Sequence, residues 1–333
     1  MELNVIFHLQ NQTGFLSNVE YLHPGLAYFL ITLLGIGSFM GATGNILTII
    51  AVLKFKELNF GGNFFVINLA CADLCIAGFV SPMNVIGVLF GESFFMNNFL
   101  LCKFIASICL ICCICSLLNI CAVSLNRYCY IVKNNYYHKF FSKHKCSLLC
   151  LIIWLFSFII QMPNYFGWGG DIYDPKTMSC IYDRMKSRSF TIFFAGCLIL
   201  IPIVITAVCY TLIFYHWHQS AKKISSISKE GNKKSMQLVR MLFLIFSTFV
   251  LCWAPYSGIV LGDEYNTFPV SVHAILVVIA HFNSSLNALL YGFTNAQFRA
   301  AYFKLLGITY LRKKLGSHKV GEFSESKGNQ VVL

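Results

Sequence analysis

Leu125-Asn126-Arg127-Tyr128 closes an apolar segment that begins near Leu100 and carries, after Lys103, no formal charge except Arg127. An arginine at the mouth of a membrane helix is costly to desolvate, so it persists only where it finds polar partners, water or a task. The rest of the chain fits a membrane setting. Of its 333 residues, 57% are hydrophobic and 11% charged, against roughly a quarter charged in soluble domains. A water-soluble core would not hide that much apolar surface, so the bilayer is the expected solvent.

Seven apolar segments run along the chain, at about 26–53, 62–90, 99–132, 146–166, 188–216, 238–261 and 270–293. Each is long enough to span the ~30 Å hydrocarbon layer at about 1.5 Å per residue. Lipid offers no partner for loose backbone groups, so each segment is expected to be a helix. The fold expected is an all-α membrane protein, a seven-transmembrane helix bundle over residues 26–293. Within 294–308, Phe298, Tyr302, Leu305 and Leu306 share one face, with Arg299 and Lys304 toward headgroups. That pattern reads as a short amphipathic helix lying in the interface. Residues 309–333 are polar, with Gly and Ser, and read as a disordered cytoplasmic tail.

Lys and Arg set the expected orientation. One side collects Lys54 and Lys56; Lys133, Lys139, Lys143 and Lys145; Lys222, Lys223, Lys229, Lys233 and Lys234; then Arg299, Lys304 and Arg312-Lys313-Lys314. The other side has Lys103, Lys176, Arg184, Lys186 and Arg188. The C-terminus is therefore expected in the cytoplasm and the N-terminal segment, residues 1–25, outside. The net charge of +12 answers to membrane lipids and not to nucleic acid, because the basic residues sit in particular connectors. No cleavable signal peptide is evident before His23, so the first span is expected to act as its own insertion signal. Asn11-Gln12-Thr13 is a glycosylation sequon.

Most of the fifteen cysteines lie inside apolar runs, where they act as small, soft packing residues. Cys109, Cys112 and Cys115 repeat at the Cys-x-x-Cys spacing, but no distant second pair or histidine pair completes a zinc site in the sequence. Cys102, at the start of the third span, and Cys180, between the fourth and fifth, are the two cysteines this topology places in an oxidising compartment, so they are expected to be bonded. Closing that loop would stabilise the fold by roughly 4 kcal/mol in the chain-entropy model.

Seven spans suit a transporter, a channel or a receptor. The sequence shows no repeated halves with paired broken helices, which many transporters carry. Asp73 is the one acid buried mid-membrane, too few for a proton relay. Neither a convincing metal-ligand set nor a nucleophile with its base is present, so an enzyme is not expected.

The chain resembles the rhodopsin-like (class A) G-protein-coupled receptors over nearly all of 26–306. The resemblance is carried by Gly44-Asn45; Leu69-Ala70-Cys71-Ala72-Asp73-Leu74; Cys102 with Asn126-Arg127-Tyr128; Trp154; Pro202 and Tyr210; Cys252-Trp253-Ala254-Pro255; and Asn287-Ala288-Leu289-Leu290-Tyr291, in that order. It implies an extracellular signal passed to a heterotrimeric G protein at the plasma membrane. It implies no cofactor beyond an allosteric sodium ion, ligated by Asp73 and Ser116 in a polar cluster with Asn45, Asn283, Ser284 and Asn287. Pro255 removes a backbone donor and should kink the sixth helix, with Trp253 coupling the ligand to its swing. In the family Arg127, Tyr210 and Tyr291 regroup when that helix moves. The usual acid before the arginine is Asn126 here, and Lys233, Lys234 and Ser235 bring no acid from the sixth helix. The inactive state is then expected to be weakly held, with raised basal signalling.

Within that family the chain is most similar to the melatonin receptors, through Asn126-Arg127-Tyr128-Cys129-Tyr130, the Asn287-Ala288 departure from Asn-Pro, and Tyr173-Asp174-Pro175-Lys176 leading to Ser179-Cys180. The resemblance places Asn164 on a ligand's methoxy group and Tyr182 against its indole. It also marks departures. Arg184 replaces a glutamine, Leu198 a histidine and Ser257 an asparagine. Cys109 stands where amine receptors carry an acid, one turn before Cys113, and His281 where a retinal pigment carries lysine. The ligand expected is melatonin or a related neutral indole, with inhibitory coupling; another small molecule or a short peptide is the alternative, and Arg184 would suit a carboxylate.

Overall fold

The computed structural model describes residues 22–58, 61–221 and 229–308. Among them are seven helices long and apolar enough to cross a bilayer: Pro24–Lys54, Phe64–Asn97, Phe99–Val132, Lys143–Tyr165, Arg188–Gln219, Val239–Gly262 and Val270–Thr294. These are the seven segments read from the sequence. The second runs past residue 90 to Asn97, but Gly91 breaks it with φ 66° and ψ −158°, a conformation cheap only for glycine. The crossing part therefore ends where the apolar run ends. Asn11 and the tail from 309 lie outside the described residues.

The third span is the axis of the bundle. Two thirds of its apolar window is buried, 67% against 28% for the fourth, and it packs against the second, fourth, fifth and sixth spans. Leu151, Phe156 and Ile159 on the fourth span are exposed, as lipid-facing side chains should be. A polar ladder joins three spans at mid-depth: Trp154 Nε1 donates to Asn68 Oδ1 at 2.6 Å, and Asn68 Nδ2 to Asn119 Oδ1 at 2.9 Å. The first and seventh spans meet through missing side chains. A Cβ at Gly44 would stand 2.7 Å from the Cβ of Ala288, so the backbones approach as small residues in membranes allow.

Two elements were not read from the sequence. A helix, Asn134–Phe140, follows the third span. A hairpin, β1 (Asp171–Asp174) and β2 (Ser179–Tyr182), caps the opposite end, with Tyr173 facing Cys180. Its strands are four residues each, too short to show an alternating pattern. Cys180 is bonded to Cys102, with Cα atoms 5.2 Å apart, and Tyr173 Oη donates to the Gly87 carbonyl at 2.9 Å. Both ties seat the hairpin on the second and third spans.

The amphipathic helix forms over Ala296–Leu305, capped by Asn295, whose Oδ1 accepts from the Gln297 N–H at 2.8 Å. Its apolar face differs from expectation. Phe298 stacks on Tyr291 at 5.0 Å between ring centroids, and Tyr302 Oη lies 2.6 Å from Thr48 Oγ1. These rings dock on the first and seventh spans, and Leu306 is left exposed. Packing on the bundle satisfies the Tyr302 hydroxyl, which lipid would leave unpaired.

Candidate functional site

At one end, the third span delivers Asn126 and Arg127 into the bundle and leaves Tyr128 half-buried. Arg127 is 3% exposed, among Tyr130, Tyr137, Tyr210 and Tyr291, all near enough to act on its charge. Tyr210 packs on Phe243 and Phe246 of the sixth span, 5.6 and 5.9 Å between centroids. Asn126 is fully buried, and neither its amide nitrogen nor its oxygen has a hydrogen-bond partner. Gly62 forms the floor here: a Cβ on it would meet Asn126 Oδ1 at 2.7 Å and Arg127 Nη2 at 3.1 Å. The side chains of Lys233, Lys234 and Ser235 lie outside the described residues.

At mid-depth the carboxylate of Asp73 accepts from Ser116 Oγ at 3.1 Å and from Asn287 Nδ2 at 2.8 Å. Asn45 Nδ2 donates to the carbonyls of Gly41 and Ser284, both at 2.9 Å. The carbonyl oxygens of Asn45, Asn283 and Asn287 are buried without a hydrogen-bond partner. Buried acceptors of this kind call for a donor, a water or a cation. The helix of the sixth span runs unbroken through Pro255, which leaves the Leu251 carbonyl without its usual N–H.

At the hairpin end the expected ligand residues divide. Cys113, Leu198 and Trp253 line one small cavity, with Ile114, Leu117, Phe194, Ile199 and Phe249; its volume is about 10 Å³, room for roughly one water. Tyr182 borders it through Phe194, at 5.0 Å between centroids. Ser257, one turn above Trp253, is half-buried with no partner for its Oγ. Cys109 Sγ lies 3.3 Å from His281 Nε2. Asn164 does not face the cavity wall. Its Nδ2 donates to Gln161 Oε1 at 3.1 Å and to Asp171 Oδ1 at 3.2 Å, and its Oδ1 lies under Gly169, where a Cβ would come within 1.9 Å. Burial pushes the Asp171 carboxyl up to about 6, against the pull of hydrogen bonds from Ser107 and Gln161. A raised folded value means that this group supports the fold most when protonated, below about pH 4, and loses that contribution as pH rises through 6.

Arg184 is also placed differently from a ligand hook. Its Nε meets Asp174 Oδ2 at 3.2 Å, its Nη1 meets Asp263 Oδ2 at 3.7 Å, and its Nη2 donates to Asn266 Oδ1. Asp263 takes four more residues as partners: His273 Nε2 at 2.8 Å, Lys176 Nζ at 3.4 Å, Thr267 through its N–H at 2.5 Å and its Oγ1 at 3.3 Å, and the Phe268 N–H at 3.1 Å. This buried network clamps the hairpin to the connector between the sixth and seventh spans. Motif reading missed Asp263 and His273. The available signal was an acid directly after an apolar span with a histidine ten residues on.

A family model described as 7 transmembrane receptor (rhodopsin family) matches residues 44–291. The chain belongs to the rhodopsin family of seven-transmembrane receptors. The receptor is 30% identical over 295 residues to the human (Homo sapiens) melatonin receptor type 1B, covering 85% of this chain and 79% of that one. It is 31% identical over 290 residues to the chicken (Gallus gallus) melatonin receptor type 1C, covering 85% and 82%. Among solved structures it superimposes on squid rhodopsin with a TM-score of 0.73, covering 87% of each chain at 21% identity, a likeness of fold. The receptor is thus a multi-pass plasma-membrane protein that couples a small-molecule signal to a heterotrimeric G protein, a signalling protein and not an enzyme. Its resemblance to melatonin receptors, first read from short motifs, extends over most of the chain.

Proposed function

We propose that this receptor binds a neutral indole of the melatonin type at the hairpin end and signals through an inhibitory G protein. One observation carries the reading: the cavity is lined by aromatic, aliphatic and sulfur side chains, while Arg184, the nearby cation that would call for an anionic ligand, is already paired with Asp174 and Asp263. An apolar wall with aromatic faces suits stacking on an indole ring. The melatonin receptors among its relatives support the same class. The cavity is far smaller than an indole, so binding requires Trp253, Phe194 or Leu198 to move. The basic residues gathered at the Arg127 end, Lys54, Lys56, Lys133, Lys139, Lys143 and Lys145, support a cytoplasmic location for that end. They also suit contact with anionic lipid headgroups.

Displacement of a labelled indole from membranes tests the ligand. Wild type should bind, and Leu198→Trp should abolish binding by filling the wall. Failure of every indole to bind wild type removes the ligand and leaves the receptor.

A sodium ion held by Asp73 and Ser116, with Asn45, Asn283 and Asn287 around it, is part of the same proposal. Its support is the three buried amide oxygens that point to no donor. Sodium at ten times its dissociation constant should stabilise the fold by about 1.4 kcal/mol, where potassium at equal ionic strength does not. Asp73→Asn should remove that difference in melting temperature; an unchanged sodium effect in the variant overturns the site.

A further inference from the structure

Cys109 and Cys113 lie one turn apart on the third span, and His281 faces them from the seventh. Their sulfur and ring-nitrogen atoms all fall within 4.8 Å of one another. Cys109 and His281 are buried, and Cys113 is partly so and lines the cavity. Cys109, Cys112 and Cys115 share the Cys-x-x-Cys spacing, which completes no zinc site in the sequence; the fold instead brings Cys109 and Cys113 together with a histidine from a distant span. Cys112 turns to Cys75.

We propose that Cys109 Sγ, Cys113 Sγ and His281 Nε2 form a zinc site, with a fourth position left for water or a ligand atom. Two thiolates and an imidazole are a soft donor set that suits zinc. Tetrahedral zinc, with bonds of about 2.3 Å to sulfur and about 2.0 Å to nitrogen, needs ligand atoms roughly 3.5–3.8 Å apart. The present spacing reaches that by side-chain rotation of about 1 Å. Charge also selects the ion. Zinc displaces one proton from each thiol, so Zn²⁺ and two thiolates sum to zero and two protons leave to solvent. Copper(I) in the same place would leave a net negative charge inside a low-dielectric bundle.

A second observation comes from Asn84. Its Nδ2 lies 2.9 Å from His281 Nδ1, while its Oδ1 is buried with no hydrogen-bond partner. In this arrangement Nδ1 accepts, so the ring proton sits on Nε2 and faces Cys109. Turning the Asn84 amide over gives its oxygen the Nδ1 proton and frees the Nε2 lone pair for a metal. The turn satisfies the stranded oxygen at the same time. A ligating histidine characteristically donates its other ring N–H to an oxygen in this way. His281 is also 6.4 Å from the Trp253 ring, centroid to centroid, so zinc would tie the third span to the seventh beside the residue expected to drive the sixth.

The test uses full-length receptor in nanodiscs, stripped with a chelator and titrated with Zn²⁺ against a chromophoric competitor, then with Co²⁺. One tight equivalent is expected, and the cobalt form should show thiolate charge-transfer absorption. Cys113→Ser and His281→Ala should each weaken zinc at least about tenfold, and Asn84→Ala by about 10- to 100-fold. The double variant Cys75→Ser/Cys112→Ser should keep wild-type affinity. The proposal is overturned if wild type takes up no tight equivalent, if its cobalt form lacks the thiolate band, if copper(I) binds and zinc does not, or if folded Cys113→Ser and His281→Ala bind as wild type does. The wild-type readings stand even if a variant fails to fold.

Discussion

Asp263→Ala is expected to lower the unfolding free energy by about 3–5 kcal/mol, the usual cost of removing one member of a buried ionic network. The carboxylate is fully buried, and so, nearly, is the Arg184 side chain, at 3% exposure. Truncation leaves Arg184 and Lys176 with one anion between them, Asp174, and strands the His273 ring nitrogen. The neighbouring pair Arg188–Glu264 provides the contrast. At 3.9 Å, with side chains 37% and 52% exposed, it is worth at most about 1 kcal/mol, so Glu264→Ala should barely move the melting temperature. Acid should act through the same group. Burial alone would raise the Asp263 carboxyl, but the His273 bond, the N–H groups of Phe268 and Thr267 and the Lys176 ammonium outweigh it and hold it well below the usual carboxylate range. With a depressed folded value, the contribution is complete above the unfolded value near pH 4 and is lost as pH falls below it. Wild type should therefore lose stability in acid faster than Asp263→Ala. Parallel pH curves for the two proteins, or equal melting temperatures at neutral pH, would sink this account of the clamp.

The second large effect concerns signalling. Arg127→Leu should abolish nucleotide exchange on the G protein while the ligand still binds, because the guanidinium is the one cation on the buried face of the third span at that end. Asn126→Asp should do the opposite of loosening. Asn126 is buried with neither amide atom bonded, so a carboxylate there meets no competing partner and sits next to Arg127 in sequence. The new charge pair should favour the closed state by about 1–3 kcal/mol, a 5- to 150-fold shift in the balance. Cyclic AMP in unstimulated cells reads it: wild type is expected to lower the level against cells lacking receptor, and the aspartate variant to restore it. Equal output from all three would refute the loosely held inactive state inferred from Asn126.

Much of this molecule is legible in its sequence, because lipid forces each long apolar run into a helix and leaves few alternatives. The third and seventh spans begin where their runs begin, at Phe99 and Val270. Asp73, Ser116 and Asn287 read as one cluster, and the Asp73 carboxylate accepts a hydrogen bond from each of the other two. What the sequence hid depends on long-range pairing. The hairpin's short strands are set by the bond to Cys102 and by Tyr173 on Gly87, not by local preference. Arg184 looked available to a ligand because nothing in its own stretch shows that Asp263, far along the chain, has already taken it. Asn164 was assigned by resemblance, and its side chain turns instead to Asp171, seven residues on. Cys113 and His281 come together only when two spans are laid side by side.

Gly62 appears in no motif, yet the hydrogen that stands where other residues carry carbon sets how far the guanidinium of Arg127 can settle. A single methyl there would stand 2.7 Å from Asn126 Oδ1 and 3.1 Å from Arg127 Nη2, a wedge under both side chains at the foot of the third span. A change at this codon would therefore be felt first at the signalling end of the receptor, as an altered volume of signal.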